Sequence, residues 1–110
     1  MAQKILQVNL TFSIPRADLD AAWLGAAQPI ADCPGLNWKV WLMNEAAHEA
    51  GGIYLFETEA AAHAYLAGPI VAALKSSPAI SNISAKLFDV LEAHTAITRG
   101  PVNGVVSAGR

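Results

Sequence analysis

The order of apolar and polar residues in this chain predicts an α+β fold of the ferredoxin-like βαββαβ type, an antiparallel sheet with both helices on one face. Three observations carry that expectation. A strictly alternating segment opens the chain, an apolar stripe at helical spacing follows it, and two aromatic-rich runs are then joined by a short polar link. At 110 residues the chain is the size of one domain, placed at residues 1–98, with residues 99–110 expected as a loosely held tail.

Residues 5–13 set Leu6, Val8, Leu10 and Phe12 on one face and Gln7, Asn9 and Thr11 on the other, the pattern of a half-buried strand. Pro15 breaks it. Leu19, Trp23, Ala26 and Ile30 recur at helical spacing, Asp18 suits the helix start, and Pro29 should kink or end the helix. Cys33-Pro34-Gly35 makes the turn into a second strand over 36–43. A polar link over 44–50 leads into a third strand over 51–57, as in a hairpin.

Thr58 is placed to cap a helix over 59–67, Gly68-Pro69 interrupts it, and residues 70–75 add another turn or two. The fourth strand, over 82–91, alternates Ile83, Ala85 and Leu87 with Ser84, Lys86 and Phe88. From Glu92 onward small residues, Gly and Pro dominate, and a loose tail is expected.

Composition narrows the function. The net charge is −2 and the seven Lys and Arg are scattered, which excludes the basic stripe of a nucleic-acid binder. No apolar run approaches the ~20 residues of a membrane span, so no membrane partner is expected. Met1-Ala2-Gln3-Lys4 precedes the first strand, and no apolar leader is expected. The single cysteine, Cys33, permits no internal disulfide, and a cytoplasmic location is expected. Helices on one face of the sheet leave the other to bury its apolar side chains elsewhere, so a homodimer stacking sheet on sheet is expected.

Several chemical motifs fail on spacing. His48-Glu49 lacks the second His of a metalloprotease helix, because position 52 is Gly. His63 and His94 stand apart from it, and Gly51-Gly52 is not followed by the features of a phosphate loop. No metal and no cofactor are expected.

The aromatic hairpin remains. Trp38, Trp41, Tyr54 and Phe56 offer flat walls for a small apolar or aromatic molecule, while Asn37, Lys39, His48 and Glu49 offer groups that orient it or move a proton. Alternation sends Trp38 and Trp41 to opposite faces, and sequence leaves open which of them shares a face with Tyr54. The structural alternative makes one Trp core and the other interface.

The run from Gly35 to Trp41, then Asn44-Glu45, His48 to Phe56, Ala64-Tyr65-Leu66 and Ala85 to Val90, resembles the YdhR family of mono-oxygenases. The resemblance spans residues 5–92. It implies a dimeric α/β barrel, two ferredoxin-like protomers with packed sheets, in a superfamily that includes oxygenases working without metal, flavin or haem. Such an enzyme needs a dry cavity, a base and donors for the resulting anion. His48 is assigned as base by its ordinary pKa. Lys39, Tyr54 or Asn37 would hold the anion, with Trp and Phe rings stacking a small aromatic or quinol-like substrate. Two alternatives use the same cavity: a non-catalytic ligand-binding or stress-type protein, and a lyase, isomerase or cyclase.

Overall fold

The computed structural model describes residues 2–102. Its elements run β1 (Lys4–Phe12), α1 (Arg16–Ala31), β2 (Leu36–Asn44), β3 (Glu49–Phe56), α2 (Glu59–Leu66), α3 (Pro69–Ser76), β4 (Ile80–Asp89) and α4 (Glu92–Ile97). The four strands form one sheet in the order β2-β3-β1-β4, with every neighbouring pair antiparallel. This is the ferredoxin-like α+β fold.

Strand β1 fixes the two faces. Leu6, Val8, Leu10 and Phe12 are buried and pack with Ile30 and Leu19 of α1, Ala62 and Tyr65 of α2, and Val71 of α3. Their β3 neighbours on that face are Tyr54, Gly52 and Ala50. Ile5, Gln7, Asn9 and Thr11 point to the opposite face, as the alternation predicted.

The register of β2 against β3 settles the hairpin. Leu36 pairs with Phe56 but Trp38 already pairs with Leu55, so Asn37 is an extra residue, a β-bulge. Past the bulge, Lys39 pairs with Tyr54 and Trp41 with Gly52, which brings Lys39 and Trp41 onto the helix-covered face. Trp38 and Val40 turn the other way. The two Trp do lie on opposite faces, and Trp41 is the one that shares its face with Tyr54.

Local expectations met mixed outcomes. Thr58 caps α2, its hydroxyl accepting from the Ala61 amide at 3.1 Å. Helix α1 begins at Arg16, directly after Pro15, so Asp18 lies in the first turn rather than at the cap. There its carboxylate faces the positive end of the helix dipole. Pro29 lies inside α1, which ends two residues beyond it.

The loose tail expected from Glu92 is corrected. Residues 92–97 form α4, and the segment after it returns to the open face of the sheet. The Trp38 indole Nε1–H donates to the Pro101 carbonyl at 2.7 Å, and Val102 is buried. An indole that needs an acceptor and an apolar side chain that needs cover hold this stretch down. Residues 103–110 of the expected tail lie outside the described residues.

Candidate functional site

Between the covered face of the sheet and helices α1 and α3 lies a cavity of about 410 Å³. Val8 and Leu10 of β1, Lys39 and Trp41 of β2 and Tyr54 of β3 form its floor. Trp23, Ala26 and Ile30 of α1, Tyr65 of α2, and Ile70 and Leu74 of α3 wall it. The volume suits a small flat organic molecule. Lys39 is the sole charged side chain among the described residues that line it, and Tyr54, Tyr65 and Ser77 supply the hydroxyls.

Lys39 is held by aromatic faces. Its Nζ lies 3.3 Å from the Trp41 ring centroid, 4.4 Å from that of Tyr54 and 6.0 Å from that of Trp23. The two indoles touch each other, with centroids 5.6 Å apart. Gly52, opposite Trp41, makes room for this side chain, since a Cβ there would sit 2.5 Å from the Lys39 Cε. Burial in this apolar setting lowers the Lys39 pKa from 10.5 to about 7. An ammonium here has lost much of its water, and the ring faces return only part of that energy. Near neutral pH the side chain is therefore available as a free amine.

The hydroxyls of Tyr54 and Tyr65 meet at 2.9 Å, with ring centroids 5.0 Å apart. Burial, and in Tyr54 also the neighbouring Tyr65, raises both phenols above their ordinary value, so both remain protonated donors. One phenol donates to the other, and the second keeps its own proton for a group in the cavity. Phe56 lies behind them, fully buried, its ring stacked on Tyr54 at 5.9 Å and 15°.

Of the residues singled out in the sequence, the structure thus brings Lys39, Trp41 and Tyr54 together, with Phe56 supporting Tyr54. The others lie elsewhere. Asn37 is exposed at the bulge, and Trp38 is on the opposite face against Pro101. Glu49 is exposed at the start of β3.

His48 does not line the cavity. It is exposed in the hairpin link with φ of 54°, its carbonyl accepts from the Phe12 amide at 2.9 Å, and its ring stands edge-on to Phe12 at 5.5 Å. These are the contacts of a residue that shapes a turn. Trp23 and Tyr65 join the site without having been singled out for it. Trp23 lies on the apolar stripe that the spacing of α1 shows, and Tyr65 is buried beside Ala62 on α2, where the sequence pattern did not place it.

Among the described residues no three His, Cys, Asp or Glu side chains converge as metal ligands would. Cys33 is half-buried in the turn before β2, and burial pushes its thiol pKa up, which makes it a poor nucleophile. No described helix is long and apolar enough to cross a membrane.

The four-stranded antiparallel sheet with helices on one face is a ferredoxin-like fold that the chain shares with antibiotic-biosynthesis-monooxygenase-like proteins. The family model described as "Putative mono-oxygenase ydhR" matches residues 5–101, and the chain belongs to that family.

Solved structures share the fold. A protein of unknown function from Nitrosomonas europaea superposes with a TM-score of 0.70 at 24% identity, over 83% of this chain and 91% of that one. SnoaB, a cofactor-independent oxygenase from Streptomyces nogalater, gives 0.67 at 17% identity, over 82% and 94%. The heme-degrader MhuD from Mycobacterium tuberculosis, with two hemes bound in its active site, gives 0.61 at 18% identity, over 79% and 95%. No curated protein matches.

Proposed function

We propose that this chain is a cofactor-independent mono-oxygenase that oxidises a small aromatic or quinol-like compound in the cavity beneath α1 and α3, with Lys39 as the base. One observation carries the reading: a lone amine, pushed toward its neutral form, lies among aromatic faces in a cavity of about 410 Å³. Membership in a mono-oxygenase family supplies the reaction class.

The chemistry follows from the substrate. An anthrone- or quinol-type compound gives up a proton to the Lys39 Nζ and becomes an electron-rich anion. The new ammonium keeps its place over the Trp41 and Tyr54 faces and pairs with that anion, while a phenol of the Tyr54–Tyr65 pair donates to its oxygen. The anion transfers one electron to dioxygen, the two radicals combine, and the ammonium returns its proton to the peroxide. Loss of water from a hydroperoxide formed at a methylene carbon leaves a carbonyl there. One oxygen atom stays in the product and the other leaves as water.

The donor set supports a reaction without bound iron. The cavity offers no imidazole, thiolate or carboxylate among its described lining residues, and its two phenols, Tyr54 and Tyr65, are kept protonated by burial and bonded to each other rather than free to hold iron. His48, given the role of base from sequence, passes it to Lys39. The pH expectation keeps its sign, since the base must be neutral and the rate rises through the pKa of about 7.

Oxygen uptake with dithranol as probe tests this. Metal-free protein is expected to consume oxygen at a rate that rises between pH 6 and 8 and falls about a hundredfold or more in Lys39→Met. Dithranol binding without uptake would favour the ligand-binding alternative, and oxygen-independent turnover the lyase-type one.

The open face of the sheet supports a homodimer as part of the same proposal. Val40 and Phe88 are 52% and 46% exposed there, beside Trp38 and Ile53. A second copy stacked sheet on sheet would cover them. Light scattering at micromolar concentration should give about twice 11.5 kDa, and a monomer mass would refute it.

A further inference from the structure

We infer that the Lys39 amine is also a carbonyl-capturing nucleophile, and that the cavity binds apolar aromatic aldehydes as reversible imines on its Nζ. The oxygen reaction is not needed for this. It rests on where the amine sits and on what surrounds it.

Three features place a nucleophile rather than a structural cation. The side chain has open cavity beside it, so a carbonyl carbon has an approach. It has no carboxylate partner: every ion pair among the described residues is made by Lys4, Arg16 or His63, and the Lys39 amine lies against the rings of Trp23, Trp41 and Tyr54. Gly52 leaves the space in which the end of the lysine lies. An amine held away from counter-ions and partly stripped of water keeps its lone pair near neutrality, the condition for Schiff-base lysines. The same faces that would stack a quinol would stack an arene bearing an aldehyde.

The step balances without an external oxidant. The Nζ lone pair forms a bond to the aldehyde carbon, the carbonyl π pair moves to oxygen, and a proton passes from nitrogen to that oxygen. The resulting carbinolamine loses water, and carbon and nitrogen become doubly bonded. Amine and aldehyde therefore give imine and water, and the reverse reaction releases both intact.

The test is reductive trapping on the full chain at pH 7.5 with 2-naphthaldehyde and sodium cyanoborohydride, followed by peptide mass spectrometry. Hydride delivered to the imine carbon fixes the adduct as a secondary amine. Lys39 should be labelled at least about tenfold faster than Lys4, Lys75 or Lys86, because ordinary lysines hold only about a thousandth of their amine neutral at that pH. Lys39→Arg, which keeps a cation but no free amine, should lose the fast label and keep the slow surface ones.

Equal labelling of the four lysines, or none at Lys39, overturns the inference. The two readings fail separately. Trapping at Lys39 in a protein that takes up no oxygen would leave the carbonyl chemistry standing alone. Lysine-dependent oxygen uptake without trapping would leave only the oxygenase.

Discussion

Replacing Lys39 with Met keeps most of the side chain's length and volume and removes the one charge that faces the cavity among the described residues. In the wild type the folded pKa is about 7 against an ordinary value of 10.5. Between those values the unfolded chain binds one more proton than the folded one. Wild-type stability therefore rises with pH there, by about 1.4 kcal/mol per unit.

Below pH 7 both states are charged, and the fold bears the whole cost of stripping water from the ammonium. That cost is at most about 5 kcal/mol from the shift, and roughly 3 once the part of the amine open to solvent is allowed for. Met carries no such cost. Lys39→Met should be about 3 kcal/mol more stable than wild type at pH 6, a rise of roughly 10–20 °C in Tm for a domain of this size. The advantage should shrink toward zero by pH 10. Urea and thermal melts of both proteins at pH 6, 8 and 10 read the difference directly, since every other titrating group cancels. An advantage that does not change with pH, or a variant less stable at pH 6, would refute the desolvated-amine argument.

Three further outcomes follow from the packing. Gly51→Ala would drive a Cβ into the Val8 carbonyl of the neighbouring strand, where backbone rather than a flexible side chain must move. It should cost about 3 kcal/mol or more, or prevent folding, by denaturant melts. Trp38→Phe removes the indole donor to the Pro101 carbonyl, which should cost about 1 kcal/mol and speed hydrogen exchange at Val102, with dithranol turnover unchanged. His48→Asn keeps a residue that tolerates the φ of 54° and should turn over dithranol within about twofold of wild type. A hundredfold loss in a folded variant would return the base to His48.

Much of the fold was legible because its signals are local. The alternation of β1, the Thr58 cap and the prolines at 15 and 29 each act within a few residues, and the structure follows them to within a residue or two at most ends. The hairpin faces were not legible, because they depend on the bulge at Asn37, which pairing with β3 imposes. Without that extra residue, Trp38 would share its face with Leu36. With it, Lys39 and Trp41 do.

The candidate site was half legible for the same reason. The pairing of Lys39 with Tyr54 and of Trp41 with Gly52 follows from the register, whereas Trp23 and Tyr65 arrive from helices whose placement over the sheet no short motif encodes. His48 stood out in the sequence by its residue type alone, whereas the burial that lowers the Lys39 pKa is a tertiary property that no short stretch of sequence shows. The packed stretch ending at Val102 was hidden in a run of Gly, Pro and small residues, since its anchor is the indole of Trp38, 63 residues away from Pro101.

Isotope transfer from dioxygen tests the central claim most directly. Metal-free wild-type protein, incubated with dithranol under ¹⁸O₂ in ordinary water, should yield a quinone product carrying one ¹⁸O atom, with Lys39→Met showing no incorporation above the protein-free control. Product whose new oxygen comes from water, or labelled product formed equally well by Lys39→Met, would contradict a mono-oxygenase that uses the Lys39 amine as its base.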